Sequence, residues 1–252
     1  MIDGLRFLRI QYILLFLFIT PVSSILAFDH NHLAWDLLLK KNVKNGLVDY
    51  VSFQQDAKKL NEYLSSISSV SGQTYSQFSE NQKLAFLINA YNAFTVKLVV
   101  DNYPVKSIKD IGGFLGSPWK KEFFTLLGEK HHLDWIEHEK LRKDFREPRI
   151  HFAINCASMG CPPLLGESFK ADLIRDQLKK ITRSFLKDPH KNNFDASKKV
   201  LYLSKIMDWF KEDFTREGAT LIDFYNRNSG ASIPMDTKIQ FNDYDWDLNQ
   251  TR

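Results

Sequence analysis

Cys156 and Cys161 are the only two cysteines in the chain, and they bracket the loop CASMGC. What this loop can do depends on their redox state. A cysteine is a nucleophile only as a thiolate, which at neutral pH needs a neighbouring base or positive surroundings. Cys156 enters a run of small residues whose backbone N–H groups could face a developing oxyanion. His138, in WIEHEKLR, is the preferred base, with Glu137 or Asn89 as candidates to orient its ring. His151 is a further catalytic candidate, although on an extended strand it shares a face with Asn155 and points away from Cys156. The alternative is a Cys156–Cys161 disulfide that fixes the loop in a non-catalytic binding or structural domain.

Around these groups lie side chains suited to binding. Asn92 follows Asn89 by one helical turn, Arg142 follows His138 in the same way, and Arg149 shares the polar face of RIHFAIN with His151. Ser158 sits inside the loop, but ASMG is not the GxSxG elbow of a serine nucleophile. Trp119 closes GGFLGSPW, a glycine-rich and proline-bearing stretch that forms a rim. His131, His132, His138, His151 and the two cysteines are all zinc-ligand types, yet neither HExxH nor a paired CxxC occurs, so no metal and no cofactor is assigned.

The elements that must position these groups follow from patterning. RIHFAIN alternates as a strand does, and CASMGCPP ends it with Gly160 and Pro162-Pro163. ENQKLAFLINAYNAFTVKLVV, capped by Ser79 and stopped by Pro104, is apolar on most sides and reads as a central, nearly surrounded helix. Asn89 and Asn92 then lie on a buried element, where an amide needs partners. They either pin neighbouring loops or serve the chemistry. FFTLL, Gly128-Glu129 and KHHLDWI predict a hairpin leading into the WIEHEKLR helix, with Asp134 as its N-cap. Asp134, His138 and Arg142 share one face of that helix and Glu137 faces another.

Elsewhere, helices are expected over His30 to Asn42, with Leu33, Leu37 and Leu38 on one face, over Gln55 to Ser69, and over Ser168 to Leu186. GLVDYVSF reads as extended. NNFDASKKVLYLS predicts a hairpin, IMDWFKEDF and TLIDFYNRN two short helices, and IQFNDYDWDLN a last strand. The fold class is α+β, a central apolar helix packed on a small, mainly antiparallel sheet with surrounding helices.

Composition bounds the rest. With 252 residues and 44% hydrophobic content the chain can bury one substantial core, and one globular domain over 28–252 is expected. The formal charge of +4 comes from 34 basic residues scattered among 30 acidic ones, which argues against nucleic acid as a partner. A small molecule or a peptide is the expected ligand. Residues 1–27 read as a signal peptide: Arg6 and Arg9, an apolar run, then Pro21, Ser23, Ser24 and Ala27. The apolar run is short of the roughly 20 residues needed to span a bilayer. Export to the periplasm or the medium is expected, with no stable membrane span after cleavage.

FLINAYNAFTV, LDWIEHEKLR, PRIHFAINCASMGCPPL and the terminal YDWDLN, in that order, resemble a family catalogued as domain of unknown function 547, found in bacteria and plants. The resemblance covers about residues 80–249. It implies a shared fold and a shared site at Asn89, Asn92, Glu137, His138, Arg142, His151, Cys156, Ser158 and Cys161, and it supplies no substrate. The combination of cysteine and histidine also looks like a permuted relative of papain-like and transglutaminase-like enzymes, a cysteine-dependent hydrolase or acyl transferase. In those enzymes, however, the cysteine precedes the histidine.

Overall fold

Helix α5, Glu80–Val100, is buried along almost its whole length, and the rest of the chain packs around it in a computed structural model that describes residues 28–113 and 116–251. Its start is set as the sequence predicts. The Ser79 hydroxyl accepts from the Gln82 N–H at 3.3 Å, and the Gln82 side chain accepts from the Ser79 N–H at 2.8 Å, which satisfies two N–H groups a helix otherwise leaves unpaired. Among the described residues, the segment Glu80–Asn102 has the length and apolarity to cross a membrane. Its apolar surface is instead spent on the core.

The elements before α5 are α1 (Leu33–Asn42), the ribbon β1–β2 (Val43–Lys44, Leu47–Val48), α2 (Tyr50–Gln55), α3 (Ala57–Ser68) and α4 (Gly72–Ser76). Two expectations fail here. In α1 Leu38 turns inward as expected, but with Trp35 and Leu39 from the expected edge of the face, while Leu33 and Leu37 stay exposed. The stacking of Trp35 on Tyr63, 5.6 Å apart and nearly parallel, sets the helix rotation. GLVDYVSF is not extended throughout, because the Asp49 carboxylate accepts from the Ser52 N–H at 2.9 Å and starts α2.

The hairpin after α5 forms as expected, β3 (Phe124–Leu126) pairing antiparallel with β4 (Glu129–His131). Phe124 stacks on Phe94 of α5 with ring centroids 3.9 Å apart. The helix that follows is not an ordinary α-helix. Trp135–Leu141 is a π-helix, the Arg142 N–H reaching back to Glu137 O, and it passes into the short α6 (Arg142–Asp144). Asp134 starts it but makes no side-chain cap.

The largest departure is at RIHFAIN. Pro148–Phe152 is a 3₁₀ helix, with Pro148 in its first turn and the Glu147 carboxylate accepting from the Arg149 N–H at 3.2 Å. Alternation over a few residues cannot separate a strand from a tight helix, and proline at the head favours the helix. The turn sends Ile150 into the core around α5 and Phe152 into a second core, where it meets Phe185, Phe214 and Phe224.

Helix α7 (Ile174–Lys187) is shorter than expected and leaves Leu173 exposed. Then β5 (Asn193–Asp195) pairs antiparallel with β6 (Val200–Leu203), α8 (Ile206–Trp209), α9 (Lys211–Phe214) and α10 (Leu221–Ser229) follow, and β7 (Lys238–Phe241) joins β6 in parallel. The class is α+β. Among the described residues the expected single sheet is three small ones, of two, two and three strands. The signal-peptide reading of 1–27 lies outside the described residues.

Candidate functional site

Asn155 builds the loop that carries the cysteines. Its own N–H is held by the Asn92 side-chain oxygen at 2.8 Å, and its side-chain NH₂ donates to Pro162 O at 2.8 Å. Its side-chain oxygen accepts from the Ala157 N–H at 2.8 Å and from the Asn249 amide at 3.1 Å. One buried amide thus ties both ends of CASMGC together and to the distant segment 244–250. That segment is laced onto the loop by Met159 N–H to Asp247 O, 2.7 Å, and Gly160 N–H to Asp245 O, 2.8 Å. Ala157 takes φ +62°, a left-handed conformation that costs a non-glycine residue and persists because these bonds over-determine it. Within the loop Cys156 and Cys161 form a disulfide, their Cα atoms 6.3 Å apart.

The disulfide borders a cleft of about 190 Å³, smaller than the sites of drug-sized ligands and suited to a small group or a single side chain. Trp119, Trp209, Phe210, Tyr244 and Trp246 give it aromatic walls. Tyr244 lies 4.5 Å from Trp246 and 4.8 Å from Trp209, ring to ring. Gly160 admits that tyrosine: a Cβ there would lie 2.8 Å from the ring. The hydroxyl then reaches both sulfurs, 3.2 Å from Cys156 Sγ and 3.1 Å from Cys161 Sγ. Burial pushes the Tyr244 phenol well above its usual range, so it stays a proton donor.

The polar end of the cleft holds Asp134, Glu137, His138 and His151. Burial, reinforced by the neighbouring Asp134 charge, raises Glu137 to about 7, the Tyr91 hydroxyl offsetting part of this. His151 donates from Nε2 to Asp213 Oδ2 at 2.8 Å, which leaves Nδ1 as the lone-pair nitrogen. Nδ1 is buried without a hydrogen-bond partner, 3.8 Å from Glu137 Oε1. Burial holds the His151 imidazole below its usual range despite Asp213. Burial alone would raise Asp213, but its bonds to His151, Arg142 and Arg216 outweigh this and hold it below the carboxylate range. Arg142 and Arg216 each approach that carboxylate to 2.6 Å. His138 Nδ1 faces Arg142 Nη1 at 3.2 Å and so accepts, and burial lowers its pKa as well.

Cys156, Cys161, Glu137, His138, His151 and Trp119 therefore line one cleft. Two orientations differ from expectation. Glu137 and His138 both face the cleft, since a π-turn is wider than an α-turn. His151 is on the same side as Cys156, because the chain coils where a strand was expected. Arg142 stands behind the cleft on Asp213.

The other candidates sit elsewhere. Asn89 spends both ends of its amide on the Phe169 backbone, at 2.7 and 3.0 Å, and does not line the cleft. Asn92 holds Ala153 O at 2.9 Å and the Asn155 N–H. Both asparagines thus pin loops. Arg149 pairs with Glu147 at 2.7 Å in a separate groove. Ser158 is buried 3.6 Å from Cys156 Sγ and lines a neighbouring cavity.

Sequence reasoning missed Asp213, Tyr91, Trp209, Phe210, Tyr244 and Trp246. YDWDLN carries a signal, two aromatics separated by one residue among acids, but its alternation also fits the last strand, which in the structure ends at Phe241. KEDF offered nothing to single out Asp213.

The family described as Protein of unknown function, DUF547, has a model that matches residues 75–186. The matched stretch contains the π-helix, the 3₁₀ turn and the cysteine loop. It stops short of Asp213 and Tyr244. No curated protein and no solved structure matches the chain.

Proposed function

We propose, for a chain whose residues 75–186 belong to that family of unknown function, that the cleft beside the disulfide receives a small molecule or a peptide side chain with an apolar body and a cationic group. One observation carries this reading. Among the described residues the charge-bearing groups lining the cleft are Asp134 and Glu137, with two histidines held toward the neutral form, and no Lys or Arg lines it. Carboxylates at one end and ring faces along the walls are complementary to an ammonium or guanidinium group, which gains about 0.5 to 2 kcal/mol from each well-placed ring. Lys109 already rests on Trp246, 4.0 Å from its ring centroid, so this aromatic cluster attracts cations.

Three of the five tryptophans line the cleft, so binding is readable by their fluorescence. Benzyltrimethylammonium is expected to quench with saturation, benzyl alcohol more weakly and benzoate least. Benzoate binding as tightly as the ammonium would overturn the reading.

A second reading, a cysteine-dependent hydrolase or acyl transferase, has its own support in His151. The imidazole is oriented by Asp213 and offers an unpaired Nδ1 in the cleft that Cys156 borders. In the resting form Cys156 is oxidised, so this chemistry requires prior reduction, after which His151 or His138 serves as base. Replacing each with Ala and following iodoacetamide labelling of Cys156 in the reduced protein tests it. Equal labelling rates in all three proteins would remove both histidines as bases. The oxidised pair also supports the reading of an exported chain, testable by cell fractionation.

A further inference from the structure

We infer that the Cys156–Cys161 bond is a thiol–disulfide exchange site, in which an incoming thiolate attacks Cys156 and Cys161 departs. The two sulfurs are not equivalent. Both border the aromatic cleft, but Cys161 is buried, 5% exposed, whereas Cys156 is half-buried. A thiolate entering by the cleft meets Cys156 first. Which sulfur leaves is decided by which one can carry negative charge, since exchange is faster with the more stable leaving thiolate.

Cys161 Sγ is equipped for that. The Cys156 N–H points at it from 2.9 Å, the donor that sets it apart, and the Tyr244 hydroxyl, 3.2 Å from Cys156 Sγ, lies 3.1 Å from it. A disulfide sulfur is a weak acceptor and gains little from two donors, but a thiolate gains a great deal. The donors are thus matched to the charge that appears when the bond breaks rather than to the resting bond, the relation found in an oxyanion hole. Both are fixed beforehand. Asn155 holds the loop backbone, and the absent Cβ of Gly160 lets the Tyr244 ring seat against it. A bond serving only as a staple needs neither donor.

The step balances as follows. A thiolate RS⁻ forms an S–S bond to Cys156 while the Cys156–Cys161 bond breaks, and its electron pair stays on Cys161. That thiolate, which also borders a second cavity, takes a proton from water. A second thiolate then attacks the sulfur of R, releasing the oxidised partner RSSR′ and Cys156 as a thiolate. Two electrons pass from two thiols to the protein. The co-reactant class is a thiol, either of low molecular weight or on a cysteine-containing peptide. A preference among thiols for cationic ones rests on the acidic cleft proposed above. The exchange itself does not.

The test uses the oxidised full chain without denaturant. It is mixed with cysteamine, with 3-mercaptopropionate or with a lysine-flanked cysteine peptide, quenched in acid and mapped by mass spectrometry, each rate normalised to that thiol's rate with a linear reference disulfide. The expected transient adduct is on Cys156. Tyr244→Phe keeps the ring and is expected to slow reduction about tenfold to a hundredfold, the size of one lost hydrogen bond to a charged sulfur, with an unchanged denaturation midpoint. An adduct on Cys161, an unaltered rate in Tyr244→Phe, or reduction only after unfolding would each overturn the proposal. If Tyr244→Phe fails to fold, the position of the wild-type adduct decides. Equal normalised rates for cysteamine and mercaptopropionate, with the adduct still on Cys156, would support exchange and overturn the cationic cleft. A low-molecular-weight partner is indicated if cysteamine outpaces the peptide, and a peptide partner by the reverse.

Discussion

His151 and Asp213 stand 62 positions apart in the chain, yet Nε2 of one lies 2.8 Å from Oδ2 of the other. The contact joins the 3₁₀ turn before the cysteine loop to α9, and two arginines converge on the same carboxylate. Replacing Asp213 with Asn is expected to leave Arg142 and Arg216 without their counter-ion and to cost about 2 to 4 kcal/mol, below the full figure for a buried pair because both arginines are partly exposed. The depressed carboxyl pKa sets the pH window. Its stabilisation is present above the usual carboxylate range and is lost as pH falls through the lower folded value. Urea melts from pH 6 down to about 2 check both points, since Asp213→Asn is expected to flatten the acid limb.

Glu137 carries the opposite sign. Its folded pKa of about 7 lies above the ordinary carboxyl value of 4.5, so the folded protein holds a proton that the unfolded chain has already released. Stability contributed by that proton is present below about pH 4.5 and is lost as pH rises to about 7. Glu137→Gln is expected to be neutral at pH 4.5 and stabilising at pH 8, by on the order of 3 kcal/mol at most. A variant less stable than wild type at pH 8 would show that Glu137 is stabilised in its charged form.

Binding of benzyltrimethylammonium is expected to tighten from pH 6 to pH 8 as Glu137 ionises. Asp134→Asn weakens it at both values, while Glu137→Gln removes the pH dependence. Titration calorimetry at the two pH values measures this. Affinity independent of both carboxylates would place the cation elsewhere.

Asn155→Ala is expected to unpin the loop. It strands the Ala157 N–H and Pro162 O, each otherwise bonded to the Asn155 side chain, at a cost of about 1 to 3 kcal/mol per group. The denaturation midpoint falls and the disulfide becomes easier to reduce in native buffer. Asn89→Ala is expected to destabilise comparably through Phe169, with no change in reduction rate. That contrast separates loss of fold stability from loss of loop geometry.

Gly160→Ala places a methyl group 2.8 Å from the Tyr244 ring and forces the ring outward. A cost of about 1 to 3 kcal/mol is expected from overpacking, together with slower reduction, since the hydroxyl withdraws from both sulfurs. Near-ultraviolet circular dichroism reports the displaced ring.

The long, evenly apolar α5 was legible in the sequence to its capping serine, because a helix buried on every side needs no periodicity to declare itself. The β3–β4 and β5–β6 hairpins were also legible, the first from Gly128 and its flanking β-formers, the second from a turn at Ala196 to Lys199 followed by alternation. RIHFAIN was not. Seven residues alternating in polarity fit a strand, and only packing against two cores at once, by Ile150 and Phe152, selects the coil. At the site, the local part could be read, since Cys156, Cys161, Glu137 and His138 lie within short motifs. Asp213 and Tyr244 could not, because their roles come from contacts 62 and 88 positions away along the chain.

The lacing of residues 244–250 across the molecule has an effect on the order of assembly. Tyr244 and Trp246 are walls of the cleft, Asn249 bonds Asn155 and Tyr50, and the Leu248 N–H bonds Lys106 O. While a ribosome still covers these residues, α5 and its neighbours can gather but the hollow lacks one side and the cysteines lack their phenol. The two sulfurs thus emerge before the groups that later surround them, and the finished pocket is closed by the part of the chain that emerges after everything it touches.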